Sequence, residues 1–137
     1  MTEENSSNPV DVIRAFFDAG NRGDMETCFG LVADDITWHN LGSHPLSGTF
    51  SGKPDLMERL LGPLFSQLEN GIHTDIERLI ESGDTVVALN RGTARTRDHK
   101  PYNNTYCHVF RVRNGQIYEV TEYCDSALVC QTFGEQG

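Results

Sequence analysis

The sequence has little positive charge and no long hydrophobic run. Its 11 lysine and arginine residues stand against 20 aspartate and glutamate residues, which gives a formal net charge of -9 at pH 7. A protein that binds nucleic acid needs a cationic surface to displace counterions, and no cluster of basic residues supplies one. The apolar runs are only a few residues long, too short for a membrane-spanning helix. We therefore expect neither nucleic acid nor a membrane as a partner.

Paired cysteine motifs are also missing. The four cysteines, Cys28, Cys107, Cys124 and Cys130, form no CxxC pair, and their spacing fits neither a zinc site nor a small disulfide scaffold. The N-terminal segment MTEENSSNP has no basic region followed by an apolar stretch, as a secretion signal would. We expect reduced, buried thiols in a cytoplasmic protein, with no metal and no cofactor.

The first half of the chain is patterned as three helices. Asn8 and Asp24 are favourable N-cap residues, and each precedes apolar residues at helical spacing. A third helix is predicted to begin near Pro54 and to be kinked or interrupted at Gly62-Pro63. A short strand at 36–40 lies between the second and third helices.

The second half is patterned as strands. Alternating residues and turn signals predict strands at 73–81, 85–95, 104–112 and 116–124, with a loop at 42–52 before them and a short helix at 126–133 after them. No repeat or linker divides the chain, so residues 1–137 are expected to form a single domain. The fold class is α+β: a cone-shaped roll in which a strongly bent, mainly antiparallel sheet wraps around three helices and encloses a pocket.

The last hairpin decides which side chains face that pocket. A three-residue loop at 113–115 pairs Val112 with Gln116 and brings the apolar residues of both strands onto one face. His108 and Glu122 then share this face as diagonal neighbours, roughly 5–8 Å apart. A two-residue loop would place them on opposite faces, so we prefer the longer loop.

The chain resembles the nuclear transport factor 2-like superfamily, and within it the SnoaL-like polyketide cyclases and the ketosteroid isomerases. The resemblance lies in Ala33 to Asn40, in the pattern from Tyr102 to Ile117, and in the tail Glu122-Tyr123-x-Asp125. It covers essentially the whole chain. It implies the cone-shaped fold and, in catalytic members, cofactor-independent isomerase, cyclase or lyase chemistry.

The resemblance also implies roles for three polar residues. In SnoaL-like cyclases a histidine and an acid fourteen positions later face the ligand, and His108 and Glu122 match that spacing. Glu122 would be the general acid/base and His108 its partner. Asn40 stands where ketosteroid isomerases carry their catalytic aspartate, and an amide cannot abstract a proton. The middle strand at 89–95 lacks the carboxylate used by limonene epoxide hydrolases.

The predicted ligand is a small hydrophobic molecule with a carbonyl group. The residues expected to contact it are mostly aromatic: Trp38, Tyr106, Phe16, Phe17, Phe65, Phe110 and Asp125. Alternation along the first strand turns both Trp38 and Asn40 inward.

Structural interpretations of the same residues stay open. His108 is also compatible with a core histidine, and Glu122 with an ion pair to Arg91 or Arg95. Asp125 is also suited to capping the terminal helix. The aromatic residues are typical of a core.

The alternative function is a non-catalytic ligand-binding or dimeric accessory module. Val109, Ile117 and Tyr123 are predicted on the outer face of the sheet among charged groups. That surface would suit a homodimer interface.

Overall fold

The structure is a computed structural model that describes residues 8–134. Its helical segments are α1 (Pro9–Arg22), α2 (Met25–Gly30), α3 (Lys53–Leu56), a π-helical turn (Met57–Leu61), α4 (Gly62–Ser66) and α5 (Ser126–Phe133). Its strands are β1 (Val32–Asn40), β2 (Gly48–Ser51), β3 (His73–Ser82), β4 (Thr85–Thr93), β5 (Thr105–Arg113) and β6 (Gln116–Cys124). Within this part of the chain, no helix is both long enough and apolar enough to cross a membrane.

Helix α1 begins and ends at residues suited to those positions. The Asn8 side chain accepts a hydrogen bond from the Val10 N–H at 3.0 Å, and Pro9 occupies the first turn. The helix ends at Gly23, whose φ of 77° is the left-handed conformation that favours glycine. The predicted N-cap is confirmed.

The third predicted helix is interrupted, as expected, at Gly62-Pro63. A π-helical turn precedes this pair, and the Gly62 N–H bonds to the Met57 carbonyl five residues earlier. A Cβ atom on Gly62 would lie 2.7 Å from the Met57 carbonyl oxygen, so this close approach requires glycine. Pro63 has no N–H with which to continue a regular ladder.

The six strands form one open sheet in the order β2-β1-β6-β5-β4-β3. Strands β1 and β6 are parallel, and every other neighbouring pair is antiparallel. Helix α1 packs against β3, β4 and β5, while α2 and α3 pack against β1. The predicted α+β class is confirmed, although β2 lies within the segment at 42–52 that we predicted as loop.

The core lies between α1 and the concave face of the sheet. Ile13 of α1 is fully buried, as are Ile36 of β1, Phe110 of β5, and Ile117 and Val120 of β6. Burial of this apolar area is the main driving force for wrapping the sheet around the helix.

The predicted three-residue loop between β5 and β6 is wrong. Arg113 pairs with Gln116, so the loop has two residues, Asn114 and Gly115. Their φ angles are 55° and 76°, the combination that a type I′ turn requires.

The shorter loop alone would place His108 and Glu122 on opposite faces of the sheet. A β-bulge in the same hairpin returns them to one face. The register shifts after Val112↔Ile117, so that Tyr118 has no partner on β5. Beyond the bulge, His108 pairs directly with Glu122. The two side chains therefore share the inner face after all, as direct rather than diagonal neighbours.

The bulge also changes which of two adjacent side chains near the turn faces the core. Ile117, predicted on the outer face, is fully buried, whereas Tyr118, predicted on the inner face, is half-buried. Tyr118 lies under the Arg113 guanidinium at 4.0 Å and donates a hydrogen bond to Asp84. Ile117 is therefore no part of an outer interface.

Candidate functional site

A cavity of about 420 Å³ lies between the concave sheet face and the helices. Its wall is largely apolar, with contributions from Phe16, Phe17, Trp38, Leu60, Leu64 and Phe65. This volume lies within the usual range for small-molecule sites. Five residues predicted to contact a ligand line it, namely Phe16, Phe17, Trp38, Phe65 and Tyr106.

The polar part of the wall comes from residues in register across the sheet. Asn40 of β1 pairs with Glu122 of β6, which pairs in turn with His108 of β5. Tyr106 of β5 pairs with Asn90 of β4 in the next row. All five residues line the cavity. The three polar residues predicted to be catalytic therefore lie side by side.

The carboxylate of Glu122 is held through one of its oxygens. Trp38 Nε1 donates to Glu122 Oε1 at 3.2 Å, and His108 Nε2 lies 3.4 Å from the same oxygen. The Glu122 side chain is only 12% exposed. Among residues 8–134, no donor contacts Oε2, so this oxygen remains available to a ligand. Arg91, considered as an ion-pair partner for Glu122, instead bonds to Glu77 at 2.6 Å.

The His108 ring is held by contacts with several neighbours. It stacks on Tyr106 and Phe110, with ring centroids 5.2 and 5.5 Å away. Trp38 meets the same ring edge-on at 6.2 Å. On the side away from Glu122, His108 Nδ1 lies 3.0 Å from Asn90 Nδ2. In this orientation the imidazole lies between Glu122 and Asn90.

The Asn40 side chain carries an unsatisfied hydrogen-bond acceptor. Its side-chain oxygen is buried and has no hydrogen-bond partner among the described residues. A buried polar atom left unpaired costs about 1–3 kcal/mol. Such an atom in a cavity wall is commonly explained by an unseen water or ligand.

Two tyrosines complete the polar wall. Burial raises the pKa of the Tyr106 hydroxyl, and the nearby Tyr102 and Glu122 raise it further. Burial also raises the pKa of Tyr102, whose hydroxyl accepts a hydrogen bond from Asn104 at 3.2 Å. Both hydroxyls keep their protons at neutral pH, so they can donate hydrogen bonds but cannot act as bases.

The cysteines provide no nucleophile to this site. Cys28 lines the cavity, and burial raises the pKa of its thiol to about 11. Burial raises the pKa of Cys124 to about 12, with Glu122 and Asp125 adding to the shift. A thiol that keeps its proton is a poor nucleophile. The four cysteines are free, and Cys130 is exposed, contrary to the expectation that the thiols are buried.

Two predicted ligand contacts lie away from the cavity wall. Phe110 is fully buried behind Phe16 and Phe17. Its ring centroid lies 5.9 Å from that of Phe16 and 5.7 Å from that of Phe17. Asp125 caps α5 by accepting the Leu128 N–H at 3.3 Å. Neither residue is among those that line the cavity. Both have structural roles in this conformation.

Sequence reasoning missed Asn90, which is 1% exposed and contacts His108. The signal was present in the alternation of β4, since Val86, Ala88 and Asn90 share one buried face.

Within residues 8–134, no group of three or more His, Cys, Asp or Glu side chains is placed to hold a metal ion.

Several solved structures have a similar fold. A protein of unknown function from Burkholderia pseudomallei, described as NTF2-like, is 20% identical with a TM-score of 0.79, over 91% of this chain and 96% of that one. TerC, co-crystallised with polyporic acid, is 20% identical with a TM-score of 0.75, over 87% and 92%. A putative isomerase from Bacillus subtilis is 18% identical with a TM-score of 0.78, over 98% of both chains. The comparison with curated proteins gave no match.

At this level of identity the structural neighbours establish the fold alone. The sequence comparison is more specific, because the family model described as a SnoaL-like domain matches residues 13–120. That match includes α1 from Ile13 onward, the whole of β1, and both His108 and Asn90. The predicted resemblance is thereby confirmed, and the chain belongs to the SnoaL-like domain family.

Proposed function

We propose that this protein is a cofactor-independent isomerase, cyclase or dehydratase that moves a proton on a hydrophobic carbonyl compound. The observation that carries the proposal is the state of Glu122. One of its oxygens is held by Trp38 and His108, and the other has no partner among the described residues. A carboxylate fixed in this way at the wall of an apolar cavity is suited to general acid/base catalysis.

The proton-transfer step follows from this geometry. Glu122 Oε2 accepts a proton from the carbon next to the carbonyl group, and the electrons of the broken C–H bond form an enolate. The same carboxyl group then returns the proton to another carbon, which completes an isomerisation. In a cyclisation the enolate carbon attacks a second carbonyl group of the same molecule, the π electrons of that C=O bond move to its oxygen, and this oxygen takes the proton from Glu122. In a dehydration the electrons of the enolate expel a hydroxyl group by breaking its C–O bond, and the proton on Glu122 goes to the departing hydroxyl.

The enolate oxygen needs a hydrogen-bond donor. Tyr106 keeps its proton because burial raises the pKa of its hydroxyl. The Asn40 amide lies beside Glu122 on the neighbouring strand and lines the cavity. We assign these two groups to orientation of the ligand and stabilisation of its oxygen.

The composition of the wall supports a neutral, hydrophobic ligand. Among the described residues that line the cavity, none is lysine or arginine, and Glu122 is the one carboxylate. An anion would therefore meet no cationic partner there.

The proposal can be tested without knowing the natural substrate. Wild-type protein is incubated in D2O with a panel of hydrophobic cyclic ketones, and loss of the proton signals next to the carbonyl is followed by NMR. We expect the protein to accelerate exchange of at least one ketone. The variant Glu122→Gln should lower that rate by roughly 10²- to 10⁴-fold, the usual contribution of a general base.

The matched control is Glu119→Gln on the same strand. Glu119 is bound to His39 at 3.0 Å on the opposite face of the sheet and does not line the cavity. Its removal should leave the exchange rate unchanged. Equal rates in wild type and Glu122→Gln, with both proteins folded, would reject the catalytic role of Glu122.

A second candidate function is ligand binding without chemistry. The mostly apolar wall favours it, because such a wall can bind a hydrophobic molecule with no help from Glu122. In this case the same ketones should raise the melting temperature equally in wild type and in Glu122→Gln, and no proton exchange should be found.

We also propose that the protein acts as a cytoplasmic homodimer. The outer sheet face carries Val109, which is partly buried, and Tyr123, which is 48% exposed. The four free cysteines are typical of a reducing compartment. Sedimentation velocity should give a dimer for wild type and a monomer for Tyr123→Glu. Met57→Glu, which alters an exposed side chain on the helical side, should remain dimeric.

A further inference from the structure

Asn90 lies behind His108, on the side away from Glu122. It is 1% exposed, and its side-chain nitrogen lies 3.0 Å from His108 Nδ1. We infer that Asn90 is a positioning residue that holds His108 in the tautomer with its proton on Nε2, directed at Glu122. Nothing in the proposed function assigns this residue a role.

The orientation of the Asn90 amide follows from a second contact. The same side-chain nitrogen lies 3.0 Å from the backbone carbonyl oxygen of Ala88. Only the NH2 group of the amide can donate to that oxygen, since the reversed amide would place two acceptors face to face. One N–H of Asn90 therefore goes to Ala88, and the other goes to His108.

The donor from Asn90 determines which ring nitrogen carries the proton. Because Nδ1 accepts a hydrogen bond, it has no proton of its own, and the ring proton is on Nε2. His108 Nε2 lies 3.4 Å from Glu122 Oε1, so the N–H is directed at the carboxylate. His108 then acts as a neutral hydrogen-bond donor to Glu122, and it is not a cationic partner.

Within residues 8–134, Asn90 is the one hydrogen-bond partner of His108 Nδ1. The titratable groups that face the ring are Glu122 from β6 and Tyr106 from β5, and Tyr106 stacks on the ring at 5.2 Å. Helix α1 and strand β1 present the rings of Phe17 and Trp38. Asn90 is thus the contact that decides the tautomer.

This arrangement has a consequence for the reaction. The effect on turnover rests on the proposed function, whereas the tautomer does not. A neutral donor orients Glu122 and leaves its negative charge uncancelled, which keeps the carboxylate able to accept a proton from the ligand. A doubly protonated His108 would hold the carboxylate as an ion pair and weaken it as a base.

The tautomer can be measured directly on the free protein. Nitrogen-15 NMR of the histidine rings distinguishes a nitrogen that bears a proton from one that does not, and His108→Gln identifies the signals of His108. In wild type at neutral pH we expect Nε2 to bear the proton and Nδ1 to bear none. A proton on Nδ1 of the wild type would overturn the inference without recourse to any variant.

Two variants test whether Asn90 is the cause. Asn90→Asp has nearly the same shape but replaces the donor by an acceptor, so both ring nitrogens should then bear protons. Asn90→Leu removes the donor, so the tautomers should mix. The ring signals of His39, which contacts Glu119, serve as an internal reference and should not change. An unchanged His108 spectrum in folded Asn90→Asp would also overturn the inference.

Kinetics separate this inference from the proposed function. For ketone exchange, Asn90→Asp should lower kcat by about tenfold or more and change KM little. It should also alter the pH profile of kcat, which a merely structural residue would not do. If the NMR results hold and no ketone is exchanged, the tautomer assignment stands and the proposed function fails. If exchange is found while Nδ1 of the wild type bears a proton, the proposed function stands and the tautomer assignment fails.

Discussion

His108 lies directly across the β5–β6 ladder from Glu122, with Nε2 3.4 Å from Oε1. This relationship depends on the bulge at Tyr118, since a two-residue loop without a bulge would place the two side chains on opposite faces. The single irregularity in the hairpin thus brings the acid and the imidazole together.

Trp38→Phe should lower the rate of proton exchange while an aromatic ring still fills this part of the cavity wall. The substitution keeps an aromatic ring in the wall but removes the Nε1–H that donates to Glu122 at 3.2 Å. A hydrogen bond to a charged group contributes about 1.5–3 kcal/mol. If ketone exchange is found, we expect its rate to fall by about 10- to 100-fold, as measured by NMR. A rate equal to that of wild type would show that this donor does not orient the carboxylate.

Gly92→Ala should displace Tyr106. A Cβ atom at position 92 would lie 2.9 Å from Tyr106 Cε2 and 2.8 Å from Ile72 Cγ2. Because Tyr106 stacks on His108, its displacement should alter the His108 ring signals in NMR and lower stability by about 1–3 kcal/mol. Gly30→Ala is the control, since its Cβ would meet nothing within 4 Å. Identical effects of the two variants would contradict the prediction.

Gly115→Ala should strain the turn that sets the β5–β6 register. The φ of Gly115 is 76°, a conformation that costs an alanine roughly 1 kcal/mol. Gly83, with φ of 61°, occupies the turn of the neighbouring hairpin and provides a matched control. Urea unfolding should show similar losses for both alanine variants. Only Gly115→Ala should also disturb the His108 signals, because its hairpin carries both residues of the pair.

Stability should fall on the alkaline side of pH 9. Burial raises the pKa of Cys28 from 9.0 to about 11, so the folded protein holds this proton more tightly than the unfolded chain. The stabilising contribution is fully present below about pH 9 and is lost as the pH rises through about 11. Cys124, with a pKa raised to about 12, should act in the same direction.

The measurement is the free energy of urea unfolding between about pH 8 and 11. Each group contributes a decline of at most about 1.4 kcal/mol per pH unit within its window. Cys28→Ala should make the decline shallower than in wild type. Parallel declines in the two proteins would show that the Cys28 thiol is not the group responsible.

Much of the fold could be predicted from local sequence signals. Asn8, Asp24 and Asp125 all cap helices through their side chains. Alternation along β1 placed Trp38 and Asn40 on the buried face, where the structure has them. These predictions succeeded because capping and alternation depend only on residues close together in the chain.

Some features could not be predicted because they depend on pairing between distant residues. Strand β2 exists through its ladder with β1, although its own sequence is rich in loop-forming residues. Phe110 alternates inward correctly but lies behind Phe16 and Phe17, which separate it from the cavity. The contact between Asn90 and His108 joins neighbouring strands eighteen positions apart, and periodicity carries no information on it.

Local signals were enough to predict an α+β chain with His108 and Glu122 on its last two long strands, because charge, helix caps and alternation depend on neighbouring residues. The contact between these two side chains depends instead on how β5 and β6 pair. The two-residue turn and the bulge at Tyr118 each shift the hairpin by one residue, and their effects on the facing side chains cancel. With this register Ile117 is fully buried in the core, among residues from other strands and from α1 that are distant in the sequence.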